Sequence, residues 1–202
     1  MTMTLLPADA RAASPWKNGK GITRELAAFP PGSDMDRFEW RVSIAEVRAG
    51  GPFSDFPGID RTLAVLEGTL LLSIGTAAPM TLSPGSGPVA FPGDIPCQAA
   101  IAGHAVQDLN VMTRRGRFSS RMTGMKADRP IATARGAFTT LLVSLCDLVV
   151  ETEQSAIVLK RLDAVSFDEP LVDGMPIRCQ RLGGNVEAIE LYLIELFPGG
   201  IS

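Results

Sequence analysis

The stretch GPFSDFPGIDRTLAVLEG, residues 51 to 68, and the turn FPGDIPCQ, residues 91 to 98, space their glycines and prolines as a metal-binding β-barrel does, yet carry none of its metal ligands. Glycine is needed where a turn requires positive φ or a close backbone approach, whereas histidine and carboxylate ligands are needed only where a divalent ion is held. Here the turns are kept and an arginine stands where a ligand carboxylate would. The stretch predicts a barrel-shaped pocket that holds a small anion.

Metal-dependent cupins resemble one another through two short motifs. The first runs from a glycine through His-x-His to a glutamate and a closing glycine, and the second from a glycine through Pro-x-Gly to a histidine and an asparagine. Aligned on Gly68, the glutamate falls on Arg61 and the histidines fall among Ser54, Asp55, Phe56 and Pro57. In the second motif Gly85 and Gly93 hold the glycine positions, Phe91 replaces the proline, Pro96 stands at the histidine and Ala100 ends the run. With His104 the only histidine of the chain, a multi-histidine centre cannot form, so no metal and no other cofactor is expected. His104 itself, in AGHAV, reads as a surface turn residue.

Strand alternation sets Arg61, Leu63 and Val65 on one face of RTLAVLEG and Thr62, Ala64 and Leu66 on the other. A guanidinium on the inner face of an apolar barrel keeps its charge and costs several kcal/mol if left unpaired, so it calls for a carboxylate. That partner is either a ligand, bound in a strong bidentate contact, or a protein group such as Asp55, Asp60 or Asp108. Three more segments offer polar groups to the same cavity. WKNGKGITRE (16 to 25) supplies the ring of Trp16, the amide of Asn18 and glycines that let backbone approach a ligand. In FEWRVSIAEV (38 to 47), Arg41, Ser43 and Ala45 share a small polar face that suits either a pocket or solvent. In QDLNVMTRR, Asp108 and Asn110 face away from Leu109 and Val111, which lets Asp108 orient Arg61 or Arg41 while Asn110 reaches a ligand.

The formal charge of the 202-residue chain is -3 and no five like charges run together, which argues against a nucleic-acid partner. MTMTLLPADAR has neither the basic segment nor the apolar run of a secretory signal, and charged, glycine or proline residues interrupt every apolar stretch. A cytoplasmic protein that does not enter membranes is expected. Cys97, Cys146 and Cys179 form no CxxC pair and read as small buried hydrophobes.

Fifteen prolines and twenty glycines cut the chain into short β-rich segments, with no sustained helical period. Strands are expected at 38–47, 61–74, 87–93, 98–103, 108–115, 139–153, 155–168 and 187–197. The fold class is all-β: a cupin or jelly-roll β-barrel, two cupin units packed as one body in the bicupin, RmlC-like manner. Residues 1–202 form one such unit, with the pocket-bearing barrel in 1–115, a crossing segment at 116–136 and a second, degenerate half in 137–202. A single barrel with a trailing sheet is the alternative. The apolar runs LLVSLCDLVV and IELYLIELF offer a homodimer face or an inner sheet.

WKNGKGITRELA, WRVSIAEV, GPFSDFPGIDRTLAVLEG and DLNVMTRR, in this order, resemble the HutD/Ves family over most of residues 14 to 117. The resemblance implies a two-unit cupin without a metal, a regulator or sensor associated with histidine utilisation. It would hold a small carboxylate such as formate or an N-formylglutamate-like molecule. Carried over by motif, the implied pocket positions are Trp16, Lys17, Asn18, Thr23, Arg61, Asp108 and Asn110, to which alternation adds Arg41 and Ser43. Lys20 departs from a run of three glycines in the family motif.

Two other classes compete with a binding protein. An isomerase or hydrolase working without metal would use Glu25, Asp108 or His104 as general base, although a carboxylate beside Arg61 is expected to have a lowered pKa. A metalloenzyme would need an unusual set such as Asp55, Asp60, Glu67 and His104, with Glu67 on the face of Arg61. No catalytic residue is assigned.

Overall fold

The computed structural model describes residues 2–167, 177–183 and 189–199, and every regular element among them is a strand. The first ten are β1 (Met3–Leu6), β2 (Ala13–Pro15), β3 (Gly21–Phe29), β4 (Trp40–Val47), β5 (Gly51–Pro52), β6 (Ile59–Glu67), β7 (Leu70–Ile74), β8 (Met80–Leu82), β9 (Val89–Pro92) and β10 (Cys97–Ile101). They are followed by β11 (Val106–Arg114), β12 (Phe118–Met125), β13 (Thr139–Ser144), β14 (Leu148–Glu151), β15 (Ala156–Leu159), β16 (Ala164–Phe167), β17 (Arg178–Arg181) and β18 (Leu191–Pro198). The strands divide between two compact units, one of Arg11–Ser119 with Gly199–Ser202 and the other of Met1–Ala10 with Ser120–Pro198. The chain's first strand thus belongs with its second half, where the sequence reading groups residues 1–115. The segment 116–136, read as a crossing, contains β12.

In the unit of Arg11–Ser119, a six-stranded sheet ordered β2-β3-β4-β11-β6-β9 is accompanied by a four-stranded sheet ordered β5-β10-β7-β8. Leu63, Val65 and Phe91 from the first sheet and Leu70, Leu72, Leu82, Cys97 and Ala99 from the second belong to one buried cluster, the core of a jelly roll. In the other unit, sheets ordered β1-β16-β13-β18-β12 and β15-β14-β17 share a cluster that includes Leu142, Phe167, Leu193, Leu148 and Val150.

β11 is the strand on which the candidate site depends. It is antiparallel to β4 on one side and β6 on the other, which sets side chains in rows across one face: Arg41, Met112, Arg61; Ser43, Asn110, Leu63; Ala45, Asp108, Val65. The first row continues to Phe91 on β9, and the third to Thr23 on β3.

Three departures from regular strands have local causes. The run expected at 61–74 is broken into β6 and β7, because Gly68 turns the chain at φ +82 and passes it from the six-stranded to the four-stranded sheet. The runs at 139–153 and 155–168 are likewise each split into two strands, while Asp168, Glu187 and Ala188 lie outside the described residues. A bulge between Gln107 and Asp108 leaves Leu66 as the extra residue of β6: Asp108 pairs with Val65, but Gln107 pairs with Glu67. Glu67 is therefore turned to the face opposite Arg61, which corrects the strict alternation assumed from sequence.

A Cβ at Gly68 would stand 2.9 Å from the Ala105 carbonyl oxygen, in addition to the strain of its positive φ. We expect Gly68→Ala to destabilise the protein by about 1–3 kcal/mol, read as a lower urea midpoint; an unchanged midpoint would show that this turn is not demanding.

Candidate functional site

Trp16, Lys17, Asn18, Thr23, Arg41, Ser43, Arg61, Asp108 and Asn110 all line one cavity of about 590 Å³, in the unit of Arg11–Ser119. Its floor is the row-and-column face of β4, β11 and β6, and its apolar wall includes Met35, Phe53, Phe56 and Met112. The volume lies within the range of about 300–1,000 Å³ common to small-molecule sites.

Arg61 is only 8% exposed. Its Nη2 donates to Asn110 Oδ1 at 2.9 Å, and Asn110 Nδ2 donates in turn to Asp108 Oδ1. The amide thus bridges guanidinium and carboxylate, which form no direct hydrogen bond among those described. Around the guanidinium stand three phenyl rings, with Cζ at 4.8 Å from the centroid of Phe53, 5.3 Å from Phe91 and 5.8 Å from Phe56. Arg61 Nε is buried without a hydrogen-bond partner among the described residues, so no hydrogen bond described there offsets its desolvation.

Burial pulls the Arg61 guanidinium below its ordinary value, opposed by the charge of Asp108. Asp108, 1% exposed, moves the other way: burial pushes its carboxyl up to about 7, with the charge of Arg61 and the Asn110 hydrogen bond pulling it down. This reverses the lowered value expected from sequence. A neighbouring cation favours the carboxylate, but loss of water around a fully enclosed group outweighs it here.

The other polar groups are partly committed. Arg41 Nε is held by Glu25 Oε2 at 2.7 Å, which takes Glu25 out of contention as an unpaired base. Trp16 Nε1 donates to Thr23 Oγ1 at 2.8 Å, so these two form a braced corner of the cavity. Asn18 Oδ1 accepts from the Lys20 backbone at 3.0 Å and shapes the β2–β3 turn, leaving its amide N–H groups at the mouth beside the exposed Lys17. Lys20 ties that hairpin to the Gly50 carbonyl at 3.1 Å.

His104 is exposed and does not line the cavity, and neither do Asp55, Asp60 or Glu67. Asp60 instead pairs with Arg115 at 2.7 Å. Among the described residues no three His, Cys, Asp or Glu side chains come together as metal ligands. The donors of the cavity do not fit a divalent cation, since its one carboxylate faces a buried guanidinium.

Phe53, Phe56, Phe91, Met35 and Met112 are cavity or guanidinium neighbours that the sequence reading did not select. A signal was available for two of them. Phe56 stands among the former histidine positions and Phe91 at the former proline, so aromatic rings accompany the arginine that replaces the glutamate.

A family model described as HutD matches residues 8–187. The chain belongs to the HutD family. It is 39% identical to Protein Ves of Citrobacter koseri over 119 residues, 58% of this chain and 60% of that relative's length. Protein Ves of Cronobacter sakazakii is 35% identical over 147 residues, 70% of this chain and 78% of the relative. The structure of HutD from Pseudomonas fluorescens SBW25 in a formate condition superposes with a TM-score of 0.81 at 26% identity, covering 98% of this chain and 100% of that one. As a likeness of fold alone, oxalate decarboxylase of Bacillus subtilis matches with a TM-score of 0.59 at 8% identity, over 96% of this chain and 76% of that one. The HutD family member described here is thus an all-β, cupin-like protein of two units, and no helix of its described residues is long and apolar enough to cross a membrane.

The raised pKa of Asp108 has a consequence for stability. An unfolded aspartate titrates near pH ~3.9, so between about pH 4 and about pH 7 the folded protein binds more protons than the unfolded chain. Stability linked to Asp108 is complete below that window and is lost as pH rises through it. Urea titrations of parent and Asp108→Asn across about pH 5 to 8 should give a fall in the parent that the variant lacks; equal slopes would place the titration elsewhere.

Proposed function

We propose that the cavity is a receptor for a small carboxylate-containing metabolite, of the formate or N-formylglutamate type, and that the protein works as a sensor or regulator in histidine utilisation. The observation that carries this reading is a buried arginine lining a cavity of about 590 Å³, with an Nε–H that has no hydrogen-bond partner among the described residues. A carboxylate laid against Nε and one Nη accepts two parallel hydrogen bonds and returns to the guanidinium the charge balance that burial removes. The three phenyl rings around Arg61 leave it little rotational freedom, so the geometry is set before the ligand arrives.

The HutD structure from Pseudomonas fluorescens was obtained in a formate condition, which makes formate the first carboxylate to try. The cavity is much larger than formate, which favours a carboxylate or formyl-amide with a further body lying along Met35 and Met112. Asn18 and Lys17 at the mouth suit a second polar end. One bidentate anchor with two or three neutral hydrogen bonds corresponds to micromolar affinity, about -8 kcal/mol, the range of a metabolite sensor. Such a ligand is a dissolved cytoplasmic metabolite, with neither nucleic acid nor membrane as partner.

A second reading, a metal-independent isomerase or hydrolase, is favoured by one observation: Asp108 faces the cavity with its pKa near 7, where a general base is effective. An isomerase requires deuterium to appear beside the carboxylate of a bound ligand in D2O, and a hydrolase requires a cleaved product, each absent with Asp108→Asn.

The receptor reading is tested by thermal shift and calorimetry with formate and N-formylglutamate. The parent should be stabilised by millimolar ligand, and Arg61→Ala should bind at least about tenfold more weakly, the loss of a charge-assisted contact. Equal stabilisation of the two proteins would end it.

A further inference from the structure

The charged side chains lining the cavity are Lys17, Arg41, Arg61 and Asp108. Arg41, on β4, is already neutralised by Glu25 of β3, and Lys17 of the β2–β3 hairpin stands exposed in water at the mouth. Behind Arg61, Cys97 on β10 keeps its proton, because burial pushes its thiol up. The enclosed part of the site therefore contains one permanent cation and one carboxylate, joined by Asn110. It is neutral while Asp108 is ionised.

An anion seated on Arg61 would leave two negative groups around a single buried cation. Desolvated like charges that share one site do not both persist; one of them takes a proton. A ligand such as formate is far too acidic to be the one that does so near neutral pH. Asp108 is more basic and fully enclosed, and its Oδ1 can keep accepting from Asn110 Nδ2 while Oδ2 carries the proton. We infer that Asp108 is the proton acceptor of the anion site, so that a carboxylate ligand enters together with one proton from solvent and the occupied site is neutral again.

This inference rests on the carboxylate-receptor reading and deepens it. It makes Asp108 a specificity-determining residue: a monoanion is admitted with one proton, whereas an uncharged isostere such as formamide binds without one. Asp108 titrates near 7 when the site is free, and a bound anion raises it further by like-charge repulsion. Affinity for formate is then constant well below pH 7 and falls about tenfold per pH unit above it, until the value of the complex is reached.

The experiment is isothermal titration of the intact protein with sodium formate at constant ionic strength, from about pH 6 to about pH 9, in buffers of different ionisation enthalpy. Close to one proton should be taken up per formate bound at about pH 8, with none at about pH 6. Asp108→Asn, which mimics the protonated state, should bind formate with pH-independent affinity and no proton uptake. Formate binding by the parent with a flat pH profile and no proton uptake overturns this inference and leaves the receptor reading standing. No formate binding at any pH overturns both. Should Asp108→Asn fail to fold, the buffer dependence of the parent decides; should it fold and keep the parent's pH profile, Asp108 is not the acceptor.

Discussion

A guanidinium held inside an apolar cup is the constraint around which this cavity is organised. An isolated buried charge costs several kcal/mol or more, and Arg61 is accommodated by features from three neighbouring segments. Asn110 and Asp108 come from β11, Phe91 from β9, and Phe53 and Phe56 from the segment between β5 and β6. The bulge at Leu66 keeps Asp108 in line with Val65 on the inner face while turning Glu67 outward, so that only one carboxylate of this strand pair enters the cavity. Even so, the Nε–H of Arg61 is left without an acceptor among the described residues.

The same frame in metal-dependent cupins brings negative and neutral ligands to a divalent ion. In this chain the cation is part of the polypeptide, and the groups gathered around it are those that tolerate or stabilise a cation: aromatic faces, an amide oxygen, and a single carboxylate at one remove. The exchange alters what the pocket can do. An arginine cannot act as a Lewis acid or change oxidation state, but it can orient a planar anion through paired hydrogen bonds. On the proposed reading the site recognises an anion, and Asp108, whose carboxyl burial pushes up to about 7, is its group placed to exchange a proton near neutral pH.

Much of this arrangement was legible in the sequence because it depends on period and turn chemistry. Alternation put Arg61, Arg41, Ser43, Asp108 and Asn110 on shared faces, and the antiparallel pairing of β11 with β4 and β6 is what brings those faces together. Trp16 and Asn18 follow from the polar, glycine-rich make-up of WKNGKGITRE, whereas Lys17 and Thr23 rest on motif resemblance, since nothing in local propensity shows that the β2–β3 hairpin closes the cavity. What was not legible depends on three-dimensional context. Long apolar runs at 61–74 and 139–153 hide the points where the chain changes sheet, because both sheets demand the same residues. A bulge has no signature in RTLAVLEG, and without it Glu67 seemed to face inward. The sign of the Asp108 shift follows from burial, which a sequence shows only as a polar residue in an apolar run. The role of the phenylalanines of GPFSDFPG depends in the same way on the guanidinium that stands beside them.

The central claim is that Arg61, through its unpartnered Nε–H, is the anchor for a carboxylate. The most direct measurement is the 15N–1H resonance of the Arg61 Nε–H, assigned by its loss in Arg61→Lys, followed as formate is added. The account predicts a saturable downfield proton shift at this resonance, as a solvent-shielded N–H gains a charged acceptor. A resonance that stays in place while formate binds elsewhere in the protein would contradict it.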